Sequence, residues 1–248
     1  MDLYEMTVQR WRSDGAERET EPYKYSDSFD ILFAYHSGKT EDHKIAYRDT
    51  REIFQSGKVA GYTGDVRALV EQQNLKLCAK LIKRKLIAKE PITIDLIKEI
   101  HLASASGTYD QKLFAEQGER PGEFRKNDRL PGMHSPGADG IEALMLKLTV
   151  DMNECAGENA LRAGACFYAR FENIRPFADM NGITGRILLN YYLISRNHPP
   201  LIVFEEDKKR YFTALEACKK SESTDLLYDF FAEQTVKTWE KSFGHETE

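Results

Sequence analysis

Residues 174–186 read IRPFADMNGITGR and bring together the side chains in this chain best suited to hold a phosphate. Asp179 is a carboxylate of the kind Mg²⁺ accepts, since that ion takes one or two carboxylates plus phosphate oxygens. Asn181-Gly182 lets the backbone turn tightly and approach a ligand. The chain then re-enters a helix near Thr184, and a helix N-terminus offers free N–H groups and a dipole that attract anions. Arg186, in the first turn of that helix, has the reach and the charge for a terminal phosphate. At the other end, Arg175 stands where a reaction needs a base. Arginine keeps its proton and has no acceptor, so it cannot take a proton from an attacking hydroxyl. Asp-x-Asn-Gly followed by Thr also makes an ordinary turn with a helix cap, and spacing alone leaves both readings open.

The elements that must position this loop are helices. Apolar residues recur at three- and four-residue steps over 28–37, 44–57, 64–86, 93–105, 140–154, 159–174, 185–197, 206–220 and 224–243. Asp65 and Thr93 stand at helix-start positions. The helices over 159–174 and 185–197 are apolar around most of their circumference and therefore buried. The loop lies between them, so it is expected to be rigidly placed. Residues 106–140 are rich in glycine and proline and too long for a plain connection. Within them GEFRKNDRLPG is expected to form a short β-hairpin turning at Asn127-Asp128.

Composition narrows the function classes. The 248 residues are 41% hydrophobic and 30% charged with a net charge of −5, which suits a soluble protein and not a nucleic-acid binder. The basic run 80–86 fits the solvated face of a helix. No apolar stretch approaches the ~20 residues of a membrane span. The polar N-terminus has no signal-peptide core. The four cysteines read as reduced thiols and the six histidines form no zinc pattern, so a cytoplasmic location is expected. Residues 1–25 read as an N-terminal arm, and 26–248 as one all-α domain with a small β-flap.

FENIRPFADMNGITGRILLN resembles the signature of the Fic family, HPFx(D/E)GNGRxxR. PGEFRKND resembles the opening of that family's flap, and residues 198–217 resemble the segment after its signature helix. The similarity spans residues 30–240 or so. It implies a Fic-type helical bundle with a short β-hairpin flap at 118–136 and a motif at 175–186. It also implies transfer of AMP from ATP, with Mg²⁺, onto a hydroxyl of a target protein. Some relatives transfer other phosphate-containing groups or remove AMP. Position by position, Asp179 falls on the metal-binding acid, Asn181 and Gly182 on the phosphate turn, and Arg186 on the arginine that meets the distal phosphate. Phe124 and Arg125 fall in the flap that holds the target chain, and Tyr211 where an aromatic meets the nucleobase. Three positions depart: Arg175 replaces the catalytic histidine, Met180 a glycine and Ile183 an arginine.

The resemblance also gives meaning to YHSGKTEDH (35–43). Ser37 and Glu41 have the spacing of the family's inhibitory helix, (S/T)xxxE(G/N), with Asp42 in the last place. There the glutamate pairs with the arginine at Arg186 and blocks the distal phosphate. A solvated helix end reads the same residues without a brake. Losing a positioned base removes ~10²–10⁴ in rate, and losing one charge-assisted bond costs about 1.5–3 kcal/mol. The sequence therefore describes a Fic protein whose transfer is weak, altered or lost. The alternatives are a nucleotide-binding pseudoenzyme and a protein-interaction module. Homo-oligomerisation stays open. Neither His134 nor His198 is put forward as a replacement base.

Overall fold

The computed structural model describes residues 2–14, 26–128, 136–155, 159–221 and 223–243. Among them lie ten α-helices and no strand: α1 (Leu3–Ser13), α2 (Ser26–Thr40), α3 (Tyr47–Ser56), α4 (Val66–Ile87), α5 (Ile94–Ala105), α6 (Ile141–Glu154), α7 (Ala160–Ile174), α8 (Asn181–Ser195), α9 (Lys208–Ser221) and α10 (Asp225–Phe243). Side-chain caps fix several starts. Asp65 accepts the Arg67 amide at 2.9 Å, Thr93 the Leu96 amide at 3.1 Å and Asn159 the Arg162 amide at 2.9 Å. The basic run on α4 is neutralised locally, with Lys83 on Asp30 and Lys85 on Glu90 and Glu99. All four cysteines are free thiols.

The centre of the bundle is α8. It packs along α7 and is flanked by α5, while α6 and α10 cover α7. Ile183, Ile187, Leu188, Tyr191, Tyr192 and Leu193 of α8 all lie in the core, as an apolar-all-round helix requires. The two central helices meet closely because Gly185 has no side chain. A Cβ there would stand 3.0 Å from both Phe171 and Tyr168 of α7. Beyond α8 the chain runs extended and buried through Leu201–Phe204 without strand partners. Side chains supply the missing hydrogen bonds. Asn190 pairs with both backbone groups of Leu201 at 2.9 Å, Thr238 accepts the Ile202 amide at 2.9 Å and Gln234 the Phe204 amide at 3.0 Å.

One expectation is corrected. The β-hairpin is not seen: residues 118–128 contain no strand, and 129–135, with His134, lie outside the described residues. The backbone there is satisfied by side chains instead. The buried Glu119 carboxylate takes the Lys126 and Asn127 amides, and the Arg125 guanidinium takes the carbonyls of Arg175, Asn127 and Pro136. Residues 3–13, within the segment read as an N-terminal arm, form a helix with its own capping box that packs on α10. Trp11 meets Trp239 edge-on at 4.8 Å, and the Tyr4 hydroxyl bonds His198 at 2.8 Å. The remainder of the arm, residues 15–25, lies outside the described residues.

His198 generates a pH prediction. Its Nδ1–H donates to the Pro199 carbonyl at 2.8 Å, which leaves Nε2 to accept from Tyr4. Burial, aided by the charge of Arg12, pushes its pKa down to about 4. The unfolded chain therefore binds a proton that the folded chain does not. This stability is fully present above pH ~6.5 and is lost as pH falls toward 4, about 2 kcal/mol of it by pH 5. Urea unfolding at pH 7.5 and pH 5 should show a smaller difference for His198→Gln than for the wild type. Equal differences would refute the assignment.

Candidate functional site

The loop 175–180 begins and ends on left-handed residues. Arg175 has φ 46° and ψ 67°, and Met180 has φ 59° and ψ 18°. For a side chain with a Cβ each costs on the order of 1–2 kcal/mol, so surrounding contacts must hold the shape. The Asn181 carboxamide does so by bridging back to Phe177, accepting its N–H at 3.0 Å and donating to its carbonyl at 2.8 Å. The Phe177 ring is fully buried and stacks flat on His101 at 3.7 Å. His101 Nδ1 accepts the Gly122 amide at 2.8 Å, so Nε2 carries the proton and meets the Asp179 carbonyl at 3.2 Å. Burial pushes the His101 pKa to about 4. With both nitrogens engaged and the ring neutral, His101 is a strut of the loop and not a base.

Helix α8 begins at Asn181, three residues earlier than expected, so Asn181 and Gly182 form its first turn. Arg186, one turn on, is 2% exposed. Its guanidinium donates from Nε to Ser37 Oγ at 3.2 Å, and from Nη2 to the Ser37 carbonyl at 3.1 Å and Glu41 Oε1 at 2.9 Å. The Glu41 side chain is 36% exposed, so the pair straddles the protein surface. Glu41 also lies over Gly182: a Cβ on that glycine would collide with Oε1. The carboxylate thus sits over the first turn of α8 and against its arginine, where a phosphate oxygen would otherwise be attracted. The Glu41 and Arg186 charges, 145 residues apart, form this pair across the fold.

Asp179 differs from its expected part. Its Oδ2 takes Arg67 Nη2 of α4 at 2.5 Å, and its Oδ1 takes the Met180 amide at 2.8 Å. A Mg²⁺ ion binds oxygen at 2.0–2.1 Å and needs a near-octahedral shell, and on Oδ2 that position is held by the guanidinium. No cluster of three His, Cys, Asp or Glu suited to a metal exists among the described residues. As arranged, the residues do not fit the ion.

The remaining expected residues divide. Tyr211 is 1% exposed, with its hydroxyl on Tyr168 and 3.5 Å from Arg186. It supports the arginine from below and offers no open face to a nucleobase; the exposed aromatic beside it is Phe212. Arg125 is buried as a staple between residues 118–128 and the loop, and the partly buried Phe124 packs against Phe177 at 5.6 Å. Arg175 is half-buried. Near its charge lies the buried Glu172, whose carboxyl is raised by burial and drawn back by Arg175 and Arg186. Ile183 lies in the core. Sequence reasoning missed Arg67, whose i,i+4 spacing to Glu71 reads as a routine surface pair. It also missed His101, for which a polar residue on the core face of α5 was the available signal.

Residues 91–193 match the Fic/DOC family. The protein adenylyltransferase Fic of Drosophila melanogaster is 26% identical over 229 residues, covering 91% of this chain and 44% of that one. The Drosophila willistoni protein of the same name is 27% identical over 207 residues, covering 82% of this chain and 40% of that one. The chain therefore spans less than half the length of these curated relatives. Among solved structures, a Fic domain containing signaling protein from Bacteroides thetaiotaomicron aligns with a TM-score of 0.80 at 20% identity, over 96% of this chain and 95% of that one. Fic-1 from C. elegans aligns with a TM-score of 0.79 at 20% identity, over 98% of this chain and 71% of that one. The family match thus covers the loop 175–180 and α8, and the helical fold around them is shared with these Fic-domain structures.

Proposed function

We propose that this protein is a nucleotide-binding Fic protein whose AMP-transfer activity is weak or lost and whose phosphate site is held shut by Glu41. One observation carries the reading. The buried Arg186 and the start of α8 form an anion site, and the anion in it is the protein's own carboxylate. A nucleotide phosphate binds there by displacing Glu41 from Arg186, with the first-turn amides of α8 supplying further donors. The adenylyltransferase names of the Drosophila relatives support ATP or ADP as the ligand.

Transfer of AMP requires a group that takes the proton of an attacking hydroxyl. Arg175 has no acceptor, and His101 is neutral but has both nitrogens bonded. Glu172 is buried and accepts from Tyr168 at 3.4 Å. None of the three is a free base, which supports binding without efficient turnover.

Two outcomes are expected. Glu41→Gly should tighten ATP binding about ten- to a hundredfold by calorimetry, the equivalent of the ~1.5–3 kcal/mol of a charge-assisted bond; unchanged affinity removes the brake. Incubation with α-labelled ATP should label neither this chain nor lysate proteins, for the wild type and for Glu41→Gly alike. Clear labelling lost in Arg186→Ala would overturn the proposal, and labelling lost in Glu172→Gln would identify Glu172 as a working base.

A further inference from the structure

The pair between Arg67 and Asp179 is built, not incidental. The Arg67 guanidinium is anchored at two points. Nη2 lies 2.5 Å from Asp179 Oδ2, and Nε lies 2.8 Å from Oε1 of the fully buried Glu71. The other Glu71 oxygen lies 2.6 Å from His43 Nδ1. Asp179 is fixed in turn, with the Met180 amide on Oδ1, the Tyr109 hydroxyl 3.3 Å from its backbone N–H and His101 on its carbonyl. A guanidinium has five N–H donors. Two are used among the described residues, and the side chain is 38% exposed. Arg67 thus holds an acidic loop residue with one edge and has donors left for a ligand with the other.

From this geometry we infer that Arg67 takes the place of a divalent cation, so that the site binds a nucleotide's phosphates without metal. This inference rests on the nucleotide-binding reading above. A guanidinium matches phosphate oxygens in a bidentate way and needs no dehydrated ion. It already neutralises Asp179, the carboxylate that would otherwise repel a phosphate chain. Arg67 from α4 and Arg186 from α8 then hold the chain of phosphates from two sides of one loop. Bringing Mg²⁺ onto Asp179 Oδ2 would require breaking the ion pair and placing two cations together.

Calorimetry with ADP on the full chain tests this. Wild-type affinity should be no tighter with magnesium than with EDTA. Arg67→Met should weaken ADP binding in EDTA about tenfold, the loss of a charge-assisted contact, and magnesium should restore part of it. Arg67→Lys, which keeps the charge but not the fork, should lose less affinity than Arg67→Met and stay independent of magnesium. Asp179→Asn, which removes a negative charge and frees Arg67, should leave affinity in EDTA unchanged or tighter. Thermal melts of each variant report folding separately. Wild-type affinity that rises tenfold or more with magnesium and collapses in Asp179→Asn would overturn the inference and return Asp179 to a metal. Failure of ADP to bind in either buffer would instead remove the nucleotide-binding reading, and the inference with it.

Discussion

A buried guanidinium beside the N-terminus of a buried helix is the constraint on which the rest of the structure depends. Arg186 and the dipole of α8 are both positive and point into the same space. Neither can remain there without an anion, because an unpaired buried charge costs several kcal/mol. The chain answers with Ser37 of α2 and Glu41 of the turn that follows it, both far away in sequence. The end of α2 is fixed for that purpose: the Glu41 and His43 amides both fold back onto the Gly38 carbonyl at 3.0 Å. Beneath the guanidinium, Tyr168 and Tyr211 give it a polar floor inside an apolar bundle. The contact of α2 with α8, the approach of α7 through Gly185, and the docking of α9 through Tyr211 all serve that one charge.

The helices were legible because their cause is local. Apolar period, a capping Asp65 or Thr93, and glycine or proline at the ends act within one or two turns. The loop was legible in part for the same reason, since Asn181-Gly182 before an apolar helix is a local signal. The hairpin misled because strand and irregular loop share turn residues. What decides between them is whether a partner strand or a side chain takes the backbone hydrogen bonds. Here Glu119 and Arg125 take them, through contacts that reach Arg175 and Pro136 and leave no trace in local propensity. Tyr211 followed the same pattern: its place on a helix was readable, its orientation toward Arg186 was not. Arg67 is the extreme case, since only the fold brings residue 67 to residue 179.

Two cationic groups of the site arrive already matched to carboxylates, Arg186 to Glu41 and Arg67 to Asp179. Such pairs hold the loop in a shape that its own backbone disfavours at Arg175 and Met180. They also make ligand affinity a difference between two anions competing for one guanidinium. The two pairs are not equivalent in that contest. Glu41 lies at the end of α2 and can leave Arg186 while the loop stays in place. Asp179 is part of the loop, pinned through its backbone to His101 and Tyr109 as well as through its side chain. In the proposed reading a phosphate displaces the first carboxylate and joins the second pair.

Binding and proton transfer are separable in this architecture because they are placed on different elements. The anion-holding groups belong to α2, α4 and α8 and are tied together by their own ion pairs. Arg175 is the left-handed residue that ends α7, and its carbonyl is stapled by Arg125. Its side chain contributes to none of the hydrogen bonds that shape the loop among the described residues. A change of its side chain would therefore leave the hydrogen bonds that shape the loop in place. Substituting Asn181, Gly182 or Arg186 would disturb the site, because those residues hold the loop closed, leave room for the Glu41 carboxylate, or carry the charge that attracts it.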